Sequence, residues 1–518
     1  MSNFRTVRRP RRLVAIGAAV IAATLLLSAC GGQPETGGDS GEVVEKDLKI
    51  AAVSAPNSLD PAQLVDGQQM FVWTSVFDTL LAKDNNTGEL IPNAATAWEY
   101  NDDGTALTLT IREGMTFSSG DPVDAHAVVA TMQRTKDTPG IVQVKYSSVS
   151  DIEATDDQTV VVHFTEYDPQ FLSNLALGTG AIGDPATLDE ERTATDPIGS
   201  GPFILDIAKT VPGSSYVLTK RDDYWNADAI PFKSLTVTVL QDPTAAFNAL
   251  QAGEINAASV QTNLLGQLSA DVAVKEIPAQ AVVYIDILDR AGEKWPMLGD
   301  VRVRQAINYA IDREGILSAL LQGTGTTTQQ VFSPFGAVHD DALDETYEYD
   351  PEKGAELVEE AGYAGETLQI PSTFLSTSFE PTLTQAFADI GLTLEWVPVP
   401  PQQAQSAHQS GDYPLSFQIT GFNSDPADAY VHFSDAGFAN PTGFTDSTID
   451  GLFDEIGSTV DFDTALPSYK ELNAYAVEQA FEAPIVFTGT NWATADGIVM
   501  LDDGSSAVPT VRLFGVSE

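Results

Sequence analysis

Five histidines, a single cysteine and many carboxylates are the groups in this 518-residue chain whose chemistry their spacing can test. The histidines stand at His126, His163, His339, His408 and His432. No two have the His-x-x-x-His or Cys/His spacing that sets metal ligands on one face. His163 sits in an alternating run with Val160 and Val162 and reads as an ordinary strand side chain. Gly323-Thr-Gly325 lacks the third glycine of a dinucleotide loop and follows a helical pattern rather than a strand, so it reads as a helix stop. There is no Gly-x-Ser-x-Gly nucleophile turn. Acid pairs such as Asp102-Asp103 and Asp340-Asp341 have the residue types for glycoside chemistry, but neighbours in sequence do not make the opposed geometry it needs, and they read as solvated surface. These residues predict a protein that is not an enzyme and needs no cofactor and no metal.

The lone Cys30 asks for another explanation. Residues 1–12 hold five arginines and no acid, and residues 13–27 are mostly Leu, Val, Ile and Ala. That run falls short of the about 20 apolar residues that span a bilayer. A basic start, a short apolar stretch and small residues at its end predict a secretory signal over residues 1–29. Leu27-Ser28-Ala29-Cys30 resembles the bacterial lipoprotein box, which implies that Cys30 carries acyl chains and anchors the protein to the membrane. With no second cysteine, no internal disulfide forms. The Gly-, Ser- and acid-rich residues 30–46 read as a flexible tether.

Composition bounds the rest. A hydrophobic content of 43% supplies packed cores, and the length predicts two or three lobes. The net charge is −47, or −52 without the signal, which excludes nucleic acid as a partner. Between Glu314 and Val511 there are 31 Asp and Glu, against only Lys353 and Lys470. That stretch offers no arginine to grip an anionic ligand.

The element pattern is mixed α/β. Strands are predicted at 106–111, 159–164, 215–220, 234–240 and 282–288 from alternating or β-branched runs bounded by turn residues. Asp242-Pro243 and Asp350-Pro351 each open a helix with a cap and a proline, the second ending near Gly362. Asp300 opens one long helical pattern that runs to Gly323.

These segments also resemble, in order, those of the extracytoplasmic solute-binding proteins of family 5, the peptide- and nickel-type receptors of ABC importers. The matching stretches are SAPNSLDPAQ (54–63), the region 76–134 around NDDGTALTLTIREGMTFSSG, DPIGSGPFIL (196–205), KRDDYWN with QDPTAAFNALQAGEI (220–255), 298–323 and YDPEKGAELVEEAGY (349–363). His126 stands where that family usually has an acid. The resemblance implies a two-lobed, periplasmic-binding-protein-like α/β fold of type II with an extra inserted subdomain and a hinge between lobes. Residues 47–78, 203–290 and 488–518 would form the core of lobe I, 79–202 its inserted subdomain and 291–487 lobe II. It implies an extracytoplasmic, monomeric receptor, anchored to the membrane by its lipid, that hands a small solute or peptide to an ABC permease. A nickel-chelate, opine or oligosaccharide receptor is the alternative within the family, and a secreted hydrolase the alternative outside it.

Trp396, Phe422 and Trp492 offer aromatic faces for lining a cleft, whereas Trp98 and Trp225 read as packing residues. ITGFNSDPADAYVHF (419–433) is similar to the family segment GW..D..DP, with Gly421, Phe422 and Asn423 leading into Asp425. The resemblance implies that Asp425 pairs with the α-amino group of a peptide. Phe422 replaces the usual Trp. Ala429 replaces the proline that should follow Asp428. From the residues alone, Asp425 beside Pro426 reads equally as the cap of a turn.

Overall fold

The computed structural model describes residues 45–84, 88–373, 375–400, 403–501 and 509–517; Cys30 and the expected signal and most of the tether lie outside them. Among these residues, a nine-stranded mixed sheet runs through the molecule. Its order from one edge is Leu415–Gly421, Ala273–Ile287, Glu482–Thr494, Ala257–Val260, Lys46–Ala52, Phe232–Val239, Ser215–Lys220 and Phe203–Leu205, with Gly325–Thr327 also paired to Glu482–Thr494. Lys46–Ala52 lies parallel to both its neighbours and every other pairing is antiparallel.

Two long strands of this sheet, Ala273–Ile287 and Glu482–Thr494, serve both lobes. Residues 273–277 pair with 490–494, and residues 281–286 with 482–488. The ladder breaks between them at Pro278, Ala279 and Gln280 because proline has no N–H to donate. Opposite the break, Gly489 lies so close that a Cβ there would meet Ile277 O at 2.6 Å. On one side of the break, Leu48, Ile50, Phe71, Trp73, Phe232 and Trp492 share a core. On the other, Val283, Ile285, Ile307, Leu368, Phe387 and Ile485 share a second.

A four-stranded antiparallel sheet stands apart, in the order Ala95–Tyr100, Ala106–Ile111, Thr159–Phe164, Val149–Ala154. Alternation builds it. Leu107, Leu109 and Ile111 face Val160, Val162 and Phe164 in a core drawn from residues Leu80 to Ile182. The helix Ala125–Asp137 covers it, capped by Asp124, which accepts from Ala127 N–H at 2.9 Å. His126 is exposed, 3.6 Å from Asp157, and the cap does not need it.

Asp78 fastens this subdomain to the large sheet. It is fully buried. Its Oδ1 accepts from Tyr224 Oη–H and Arg512 Nη2–H, both at 2.8 Å, and its Oδ2 accepts from Trp225 Nε1–H at 3.0 Å. Its own N–H donates to Ser200 Oγ at 3.0 Å. Segments more than 400 residues apart in sequence therefore meet on one carboxylate.

The helix expected to run on from Asp300 is two helices, Val301–Ala310 and Arg313–Leu320. Ile311 is extended, and Asp312 caps a new start by accepting from Gly315 N–H at 2.8 Å. The aspartate's preference for a cap outweighs the continuous apolar period. Arg313, buried behind it, donates to the carbonyls of Thr328, Pro484 and Asn308. Arg304 and Arg290 are likewise buried and satisfied by carbonyls: Gln479 and Leu298 for the first, His432 and Ala439 for the second.

Candidate ligand-binding site

The edge strand Leu415–Gly421 leads through Phe422 and Asn423 into the helix Asp425–Phe433. Ser424 caps this helix, accepting from Ala427 N–H at 3.4 Å, and Pro426 pre-sets its first turn. Two carboxylates occupy that turn, where the helix dipole favours them. Asp425 is 8% exposed, and its Oδ2 accepts from Val338 N–H at 3.0 Å. Gly336 lets the 336–338 turn close on it, since a Cβ there would come within 2.1 Å of Asp425 Oδ1. Burial raises the pKa of Asp425. The N–H groups of Val338 and Ala337, with His339 and Lys470 behind them, pull it back.

Asp428, one turn on, holds the Asn423 loop. Both its oxygens accept from Asn423 N–H at 3.1 Å, and Oδ1 also accepts from Asn423 Nδ2–H at 3.0 Å. Burial pushes the Asp428 carboxyl up to about 6, against the attraction of His432, Asn423 and Lys83. Lys83 comes from the strand Leu81–Lys83 of the small subdomain. Burial lowers its ammonium's pKa against the fields of Asp428 and Asp66.

Between this loop and the small subdomain lies a cavity of about 750 Å³. Trp98, Tyr100 and Tyr167 form one wall; Phe335, Phe422 and Phe462 form the other. Ser173 Oγ and Ser424 Oγ share a 2.6 Å hydrogen bond across the gap. Asp425 is set into the wall, while Glu89, Glu99 and Asp461 are exposed at the mouth. The described lining holds no lysine or arginine. Among the described residues, no three His, Cys, Asp or Glu side chains gather where they could hold a metal ion.

The residues singled out in sequence divide. Phe422, Asn423 and Asp425 come together on this cavity, and Gly421 ends the strand just before it. Trp396 stands elsewhere, half-buried on the parallel pair Thr367–Ser372 and Thr393–Pro398, with Nε1–H donating to Thr384 Oγ1 at 3.0 Å. Trp492 is a core residue rather than a cleft residue. It is 3% exposed and stands edge-on to Phe71 and Phe514, because its place on the long strand turns it into the first core. Trp98, read as packing, does pack on the small subdomain's core but also presents a face to the cavity. Trp98 and Tyr100 sit two apart on one strand and so share a side, a signal the sequence carried. Nothing local in the sequence pointed to Tyr167, Phe335 and Phe462.

A family profile described as bacterial extracellular solute-binding proteins, family 5, matches residues 89–441. The chain belongs to this family. It is 26% identical to the heme-binding protein A of Haemophilus influenzae over 90% of this chain and 92% of that one. It is 27% identical to the nickel-binding periplasmic protein of Escherichia coli over 62% of this chain and 64% of that one. The structure of DppA from Helicobacter pylori in complex with the peptide STSA superposes with a TM-score of 0.74 at 20% identity, over 92% of this chain and 99% of that chain. The fold is thus that of the two-lobed binding proteins, and family 5 members are solute-binding proteins.

Behind the cleft helix, this family 5 protein buries a charged network. Asp286 on one lobe-crossing strand and Glu482 on the other lie 3.3 and 3.6 Å from Arg290 Nη2. Glu482 is 2.7 Å from His432 Nδ1, on the cleft helix itself. His408 Nε2–H donates to Phe438 O at 2.8 Å, Gln418 Nε2 lies 3.1 Å from its Nδ1, and burial lowers its pKa. Burial drives the Asp286 pKa upward, opposed by Arg290 and His432 and reinforced by Glu482. Asp286 and Asp428 both titrate above the about 3.9 of an unfolded aspartate, so the native state holds more protons. Their contribution to stability is complete below about pH 4 and is lost as pH rises through about 6 for Asp428 and higher for Asp286. Urea midpoints should therefore fall between pH 5 and pH 8, and Asp286→Asn should flatten the upper part of that fall. A wild-type midpoint that climbs over this range would contradict the assignment.

Proposed function

We propose that the protein is an extracytoplasmic receptor, anchored through lipidated Cys30, that captures a peptide with a free amino terminus and delivers it to an ABC permease. Asp425 in the wall of an aromatic cavity whose described lining holds no base is the observation that carries this reading. A peptide ammonium loses its water on entry, and an uncompensated buried charge is very costly. A fixed carboxylate offsets that loss through charge-assisted hydrogen bonds. In this reading 47–78, 203–290 and 488–518 form lobe I, 79–202 its inserted subdomain and 291–487 lobe II. Closure pivots where the long strand pair is interrupted at residues 278–280, and a monomer suffices.

The test is selective capture. Purified protein is incubated with matched free and N-acetylated peptides, washed and analysed by mass spectrometry. Intact free-amine peptides should be retained and acetylated ones lost. Equal retention of both would remove the amine anchor, and cleavage products would replace the receptor by a hydrolase.

A further inference from the structure

Aromatic rings and carboxylates line the cavity. Trp98 and Tyr100 rest on the small subdomain's core and turn their other sides to the cavity. Tyr100 is held edge-on to Tyr167, with centroids 5.4 Å apart and planes at 86°. Across the gap, Phe422 is held edge-on to Phe487 at 5.4 Å and 73°. The rings are thus braced by neighbours and form fixed walls. Aromatic faces carry negative quadrupole potential, which attracts ammonium and guanidinium groups and repels anions.

The charges point the same way. Asp425, Glu99 and Asp461 line the same space, and every charged side chain in the described lining is an acid. The bases nearby stand outside the described lining. Lys83 faces Asp428 and Asp66. Arg112 stacks on Trp225 at 4.1 Å and donates to Asn93 O at 3.0 Å. Lys470 is exposed on the helix Phe462–Glu478 and is not part of the lining. The about 750 Å³ leaves room for more than an amino terminus.

We infer that the cavity holds a second cation on an apolar stem, so that the preferred cargo carries Lys or Arg at or next to its amino terminus. This rests on the peptide reading: the α-ammonium goes to Asp425, and the side-chain cation lies among the rings with Glu99 and Asp461 at the mouth. A glutamate in the same place meets carboxylates and ring faces and no base in the described lining.

Calorimetry on the purified protein with X-Ala-Ala-Ala, where X is Lys, norleucine or Glu, tests it, with benzyltrimethylammonium as a probe that has no peptide. Affinity should fall in the order Lys, norleucine, Glu. The ends should differ about tenfold or more, the size of a cation–π contact at a partly desolvated site. Trp98→Ala and, on an exposed side chain, Glu99→Gln should each narrow the gap, and Trp98→Phe should restore most of it. Equal affinity for the three peptides, or tighter binding of the Glu peptide, overturns the inference and leaves the peptide reading standing. Binding of benzyltrimethylammonium while none of the three peptides binds keeps the cation site and removes the peptide reading. Binding of no probe overturns both.

Discussion

Asp78→Ala should cost about 3–5 kcal/mol of folding stability, the usual loss when one member of a buried charge pair is removed. The carboxylate is fully buried and accepts from Tyr224, Trp225 and Arg512 at once. Alanine leaves the buried Tyr224 hydroxyl and the half-buried Trp225 indole N–H without their acceptor and takes the carboxylate from beside Arg512, and a buried orphan bears its full desolvation cost. The loss would fall where the small subdomain joins the large sheet, so the transition should be seen by tryptophan fluorescence, with Trp225 reporting directly. Asp78→Asn keeps an acceptor oxygen and should cost less. Urea denaturation showing a loss under about 1 kcal/mol for alanine, near that of one ordinary hydrogen bond, would mean that the junction does not depend on this group.

Asp425→Asn should weaken binding of free-amine Lys-Ala-Ala-Ala by about 2–5 kcal/mol, the range found when one partner of a desolvated charge pair is lost. The substitution separates two roles that the geometry combines. Asp425 pins the 336–338 turn through Val338 N–H, which an amide oxygen also accepts. It also supplies the negative charge facing the ligand, which an amide does not. The urea midpoint should therefore barely move while affinity collapses. Unchanged affinity by calorimetry would reduce Asp425 to the turn-capping role that its place beside Pro426 also suits.

Local signals in the chain specify the regular elements. The strands Ala106–Ile111 and Thr159–Phe164 stand where alternation put them, and Asp242 and Asp350 cap the helices they were expected to open. Gly362 closes the second of these with φ 84°. What failed involved competition or distance. Asp312 cut one expected helix in two because a cap outweighed the period. Trp492 looked like a cleft aromatic because nothing in its neighbourhood says which side of the long strand faces Phe71. The cavity walls come from segments near residues 98, 167, 335, 422 and 462. Only the fold makes these neighbours, so periodicity had no means of gathering them. Asp425 itself was reached through resemblance rather than through any feature of its own stretch.

The buried arginines Arg304 and Arg313 have a consequence for how closure responds to its medium. Arg304 and Arg313 give N–H groups to interior carbonyls, so two of the six Lys and Arg of the region 291–487 are held inside. Its exterior carries carboxylates such as Glu352, Glu356, Glu359, Glu366 and Glu395. The whole chain has a net charge of −47. In a receptor that works by closure, two like-charged bodies then approach and squeeze their counterion clouds together. At an ionic strength of about 0.01 M those clouds reach about 30 Å, wider than a cleft, and at about 0.15 M they shrink to about 8 Å. Dilute media would thus hold the jaws apart, and brine would let them shut.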